Sequence, residues 1–420
     1  MKSAEMFWPL TSIPMKPLHN LLHAAALALA ALSAFPMTSH AADPLPMERW
    51  RSYQGVSWEA PAAGQAATPF SQSVNAPIAG LHFDAQGGAY VSTPRLLSPA
   101  APATLSRLDT KVDGGPARLT AFPSTSGNDV SAPPHLALRN VLGFHVDRRN
   151  GWLWALDMGF VAGEAESPAG AQKVMVLDLV SGKLVKTIAL DGVADRAGSF
   201  LNDIAVDERR RVAYVSDSGF RSAPRNKVGL IVVDYVAGTA RRVLDGHASL
   251  QIEPGVKVVS GGSEVWPGNP LLIGVNGIAL SPDGKTLYWT VTTATQAWSV
   301  PTAVLRRAGA GDEEIAQAVR SLGTVGGNTD GIVTDTAGHL YITDVTRGGI
   351  VRYDSKTHDM ALMAANYAVR WPDTPAFHPG GDLIFTASAL NQHFAGQVKA
   401  GEERYELWRL RMRGQKMTRR

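Results

Sequence analysis

NGIALSPDGKTLYWT, residues 276–290, is a short apolar strand, a Pro-Asp-Gly turn and a second apolar strand carrying an aromatic pair. The phrase returns as GLHFDAQGGAYVS at 80–92, LGFHVDRRNGWLWALD at 142–157, NDIAVDERRRVAYVSD at 202–217, DGIVTDTAGHLYITD at 330–344 and DTPAFHPGGDLIFT at 373–386, six copies in all. The copies align on Asp84, Asp147, Asp207, Ser281, Asp335 and His378. Three residues earlier stand Leu81, Phe144, Ile204, Ile278, Ile332 and Pro375; between them and the reference position, on the opposite face, stand His82, His145, Ala205, Ala279, Val333 and Ala376. Large apolar residues on one face and mostly small ones on the other is the period-two alternation of a strand packed on both sides. A unit that cannot bury its own face must stack on its neighbours. With outer strands such as VMVLDLVSGKLVKTIAL at 174–190 and VGLIVVDYVAG at 228–238, each copy makes about four strands, and six copies predict an all-β, six-bladed propeller over 76–412. The small face belongs nearest the axis, the Gly- and Pro-rich insert at 246–270 covers one end, and the irregular segment 42–75 is a source for a strand that closes the ring.

Hydrophobic residues make up 45% of the 420-residue chain, enough for a continuous core, and 41 Gly with 26 Pro suit many tight turns. A net charge of +3 offers no field for nucleic acid, and the basic end at 413–420 reads as a solvated tail. Residues 1–41 read as a signal peptide: Lys16, an apolar run at 21–35, and Ser39-His40-Ala41 before the cut, with Met15 an alternative start. Pro36 breaks that run too soon for a membrane span, and no other segment is long enough, so a periplasmic or secreted protein is expected. The absence of cysteine excludes disulfides, thiolate nucleophiles and Cys-ligated metals. No phosphate-binding loop, HExxH helix or Gly-x-Ser-x-Gly elbow occurs.

From SFLNDIAVDERRRVAYVSDSG through GVNGIALSPDGKTLYWTVTTATQAWSVPTAVLR to RWPDTPAFHPGGDLIFTASALNQ, the ordered phrases over 141–392 resemble the bacterial branch of the major royal jelly protein/Yellow family. The resemblance implies six blades, secretion, and relatives linked to dopachrome conversion or to binding small aromatic amines in the central channel. A more distant likeness is to the gluconolactonase/regucalcin propellers. There, oxygen ligands at the start of several innermost strands hold a divalent metal. The matching position here, five residues before the reference, holds Ala79, Leu142, Asn202, Asn276, Asp330 and Asp373. Leu142 departs from that pattern, in which a Glu is expected.

Asn202, Asn276, Asp330 and Asp373 offer only oxygen, the donor set of Ca²⁺ or another hard divalent cation. Such an ion would polarise an ester carbonyl, with Asp330 as the candidate catalytic residue and either Asp330 or a metal-bound water acting as base or nucleophile. The same Asn-Gly and Asp-Gly pairs also read as ordinary turn chemistry. Asp157, Asp217 and Asp344 read as backbone braces at the ends of second strands, His82 and His145 as satisfied core histidines, and His135, His378 and His393 as candidate proton shuttles near loops. Trp152, Trp266, Trp289, Trp298 and Trp371 read mainly as packing, with stacking on an aromatic ligand as the alternative. Three functional classes follow for a small-molecule site in the axial channel: a dopachrome-tautomerase-like isomerase, a metal-dependent lactonase, or a non-catalytic binder. The oligomeric state is left open.

Overall fold

The alternation forms strands in every copy. The computed structural model describes residues 45–59 and 68–412; the expected signal peptide and basic tail lie outside the described residues. The innermost strands are Leu81–Phe83, Val141–Asp147, Leu201–Asp207, Val275–Leu280, Thr329–Thr334 and Pro372–Phe377. Each pairs antiparallel with the second strand of its own copy, and six such sheets form the blades. Consecutive innermost strands touch around a ring that ends with Pro372–Phe377 against Leu81–Phe83. The first blade is extended by Val56–Trp58, parallel to Ala117–Ala121, and by Thr68–Pro69. The outermost strand of the sixth blade is Met47–Tyr53, antiparallel to Tyr405–Leu410. That pairing ties the first and last strands of the described residues into one sheet, a closure that a cysteine-free ring makes from hydrogen bonds and packing alone.

The large face fills the spaces between blades: Leu81, Phe144, Ile204 and Ile278 are at most 3% exposed, and Trp154 and Trp289 are at 0%. Burying each such side chain contributes roughly 2–3 kcal/mol. Among the described residues no helix is long and apolar enough to cross a membrane.

The strand pairing also revises the turn reading of the Asn-Gly and Asp-Gly pairs. The register of five innermost strands slips between Val141 and Phe144, Leu201 and Ile204, Val275 and Ile278, Thr329 and Ile332, and Pro372 and Pro375. The pairs therefore sit inside the strands, at β-bulges, and not in turns. The glycine of the pair lets neighbouring blades meet at the axis. A Cβ on Gly143 would stand 2.5 Å from the Asn202 carbonyl oxygen, and one on Gly277 would stand 2.3 Å from that of Asp330. Hydroxyls of the second strands pin this layer across blades: Ser92 donates to the Leu142 carbonyl (2.8 Å), Ser216 to that of Asn276 (2.7 Å) and Thr386 to that of Ala79 (2.7 Å).

Candidate functional site

The bulge layer divides the axis. At the end where the innermost strands begin, Asn202, Asn276, Asp330 and Asp373 are buried, with exposures of 5–7%. Asn276 Nδ2 donates to Asp330 Oδ1 (2.5 Å) and to Thr292 Oγ1 (2.7 Å), and the Trp371 indole N–H donates to Asp330 Oδ2 (2.6 Å). Asp373 accepts from the Thr374 hydroxyl (3.3 Å) and from the Thr374 backbone N–H, and among the described residues the Asn202 side chain has no hydrogen-bond partner. Burial pushes the Asp330 carboxyl up to about 7; the Trp371 and Asn276 donors oppose that and the Asp203 charge adds to it. Asp373 is held well above the usual carboxylate range by burial and then by the Asp330 and Asp203 charges. Two buried carboxyls side by side, with no cation against them, resist ionisation at neutral pH.

A roof covers this end. Val258 and Val265 from the insert pack with Ala79, Leu271, Val345, Trp371 and Leu390, and partly buried Leu142 and Trp266 pack against them. The insert is fastened by the Val259 N–H on Asn328 Oδ1 (3.0 Å) and the Trp266 indole on the Asn391 carbonyl (2.9 Å). Trp371 is thus more than packing: it stands two residues before Asp373 and fixes the carboxylate of the neighbouring blade. Its position directly before an innermost strand was the available sequence signal.

On the other side of the layer lies a cavity of about 910 Å³, open where the innermost strands end. Its wall draws on both faces of the innermost strands, Ala205, Ala279 and Val333 with His82 and His145 from one and Ile204, Ile278 and Ile332 from the other, and Asp203 with Gly331 and Thr374 lines it at the bulge layer. His82 and His145 therefore line the channel, correcting their reading as core residues. Burial holds His82 well below its ordinary value, helped by the charges of His145 and Arg148. His145 Nε2 lies 3.1 Å from Glu208 Oε1, and its ring is 5.5 Å from that of His82. Asp203 is pushed up to about 6 by burial, against the backbone N–H groups of Ile204 (2.8 Å) and Ile278 (3.4 Å). Sequence reasoning missed Asp203. The signal was present, since Asn202-Asp203 stands where other copies read Asn-Gly or Asp-Gly.

None of the three histidines read as proton shuttles lines this cavity. His135 is exposed, His378 packs on Trp50 and Phe83, and His393 bonds the Val74 carbonyl (2.8 Å). The brace reading of the second-strand aspartates holds: Asp157 accepts the N–H groups of Arg139, Asn140 and Gly159 at 2.8–3.0 Å and binds Lys173 Nζ (2.6 Å). Among the described residues no three His, Asp or Glu side chains are arranged to hold a metal. An ion at the roofed end would rest on a mixed set, carboxylates of Asp330 and Asp373 with carboxamides of Asn202 and Asn276. Asn202 Oδ1 and Asn276 Oδ1 have no partner among the described residues, so that set has oxygen to offer a hard cation.

Among solved structures the chain is similar to a luciferin-regenerating enzyme, with 12% identity and a TM-score of 0.50 over 81% of this chain and 92% of that one. It is also similar to a gluconolactonase from Xanthomonas campestris (15% identity, TM-score 0.45, 80% and 85% covered). A chain of the nidogen/laminin complex is a further neighbour (13% identity, TM-score 0.41, 70% and 82% covered). At these identities the likeness concerns the fold alone. No curated protein matches the sequence. The sequence signature described as Major royal jelly protein matches residues 140–415, across five of the six blades, and the chain belongs to that family.

Proposed function

We propose that this chain is exported, to the periplasm or beyond, binds a small organic molecule in the axial cavity, and moves a proton on it as an isomerase. Asp203 carries the reading: a carboxyl pushed up to about 6 on the wall of a 910 Å³ cavity is poised to exchange protons near neutral pH. Its carboxylate would take a proton from one atom of the ligand, and His145, oriented by Glu208, would return a proton at another. Bonds shift within the ligand and nothing is oxidised. A quinone-like substrate of the dopachrome type is the first to assay, following the family. Asp203→Asn should slow tautomerisation by about 10²-fold or more. Full activity in that variant would refute the assignment, and tight binding without turnover would leave the protein a binder.

A second reading is supported by the unpartnered oxygens at the roofed end. Asn202, Asn276, Asp330 and Asp373 would hold Ca²⁺ or another divalent cation, which supplies Lewis-acid polarisation of an ester carbonyl, while Asp330 accepts the proton of the attacking water. Calcium-dependent thermal unfolding of wild type against Asp330→Ala tests it. Ca²⁺ at about 100 times its dissociation constant should add about 2.7 kcal/mol to the wild type and nothing to the variant. Equal responses, or none with Ca²⁺, Mg²⁺, Mn²⁺ or Zn²⁺, would remove the lactonase reading.

A further inference from the structure

The rim of the cavity is built from the first hairpin turn of the blades, and its acids are engaged within the protein. Asp207 binds Arg210 (2.8 Å), Asp283 binds Ser281 (2.7 Å) and Lys285 (3.3 Å), Asp335 binds His339 (2.8 Å), and Glu208 binds His145 (3.1 Å). Arg148 is engaged too, donating to the carbonyls of Phe83 (2.8 and 3.0 Å) and Phe377 (3.1 Å). Two cations remain. Arg149 and Arg209 line the cavity, are exposed, and have no partner for either guanidinium among the described residues. Each stands two residues after the reference aspartate of its copy, Asp147 or Asp207, so the repeat sets them at one position on neighbouring blades. A guanidinium is a planar fork that matches carboxylate and phosphate oxygens. The strand from Asp203 at the floor to Asp207 at the rim rises about 13 Å, at about 3.3 Å per residue.

We propose that the cavity selects an elongated small molecule bearing one anionic group, a carboxylate or a phosphate monoester, held at the rim by Arg149 and Arg209 while its other end reaches Asp203. The proposal rests on the axial-binding reading above and adds the charge and length of the ligand. With the acids of the rim already paired, an anion there meets two guanidiniums that have no partner among the described residues and displaces no internal one.

Calorimetric titration of the mature chain with matched probes tests it: indole-2-carboxylate against indole, and phenyl phosphate against phenol. The anionic member of at least one pair should bind about tenfold tighter, and the pair that shows the larger ratio identifies carboxylate or phosphate as the preferred group. In Arg149→Ala/Arg209→Ala the ratio should fall to near one, with neutral-probe affinity retained. Ala279→Trp, which fills the cavity, should abolish binding of both members; Val333→Phe is the smaller plug should that variant not fold. Equal binding of anion and neutral probe by the wild type, or a ratio unchanged in the double variant, overturns the rim assignment while leaving the axial site standing. Binding undisturbed by the plug overturns the axial site itself, and the rim assignment with it, as does failure of all the probes to bind.

Discussion

The two ends of the axis are made from the same innermost strands and differ in what their polar groups do. At the roofed end, Asn276 and Trp371 both donate to the Asp330 carboxylate beneath an apolar cover. At the open end, Asp203, His82 and His145 face a cavity, and two rim arginines have no partner for their guanidiniums among the described residues. The bulge is what separates them: Asp203 lines the cavity and Asn202, its neighbour in sequence, does not. A single repeat therefore yields two chemically distinct sites, because the bulge in five of the strands sets consecutive residues on opposite sides of one layer, as it does Asn202 and Asp203.

The comparison breaks most completely if the layer itself is disturbed. Gly277→Ala would drive a Cβ to 2.3 Å from the Asp330 carbonyl oxygen. It should cost about 4 kcal/mol in urea unfolding and impair both ends together; a near-neutral variant would mean that the layer yields.

Charge at the roofed end gives the next effect. Asp330 has its carboxyl raised to about 7 by burial. Folding therefore favours its neutral form, and its contribution is complete below about pH 4 and lost as pH rises through about 7. In chelator, wild-type stability should fall between pH 5 and pH 8 by on the order of 3 kcal/mol. Asp330→Asn should reduce that fall, leaving the part that Asp373 and Asp203 contribute. Parallel pH curves for the two proteins would show that Asp330 is not the titrating group.

The smallest effect sharpens the role of Trp371. Trp371→Phe keeps the ring in the roof and deletes the N–H bonded to Asp330. Loss of that donor should cost about 1.5 kcal/mol at pH 8 and less at pH 5, where Asp330 carries its own proton. An equal cost at both pH values would make the indole a packing group only.

Much of this was legible in the residues. The alternation around Asp84, Asp147, Asp207, Ser281, Asp335 and His378 is a local property of the chain, and it placed strands, faces and blade number. Even the channel histidines were on the correct face; what misled was reading a two-sided apolar strand as closed on both sides, although the axial side of a six-bladed ring leaves room. The proton-shuttle histidines failed for a different reason. His378 and His393 lie near blade ends, but proximity to a loop says nothing about which end of the axis the loop serves. Asp203 was visible only as a departure from Gly in the repeat.

The six-fold ring follows from local pattern, because a strand that cannot bury its own face leaves stacking as its solution. The residues also exclude thiol chemistry, since there is no cysteine to perform it. Only the tertiary structure decided that the Asn-Gly and Asp-Gly pairs are bulges, that one end of the axis is roofed, and that Asp203, His82 and His145 share a cavity. Those facts depend on contacts between blades tens of residues apart, and no local pattern encodes the distance across the axis.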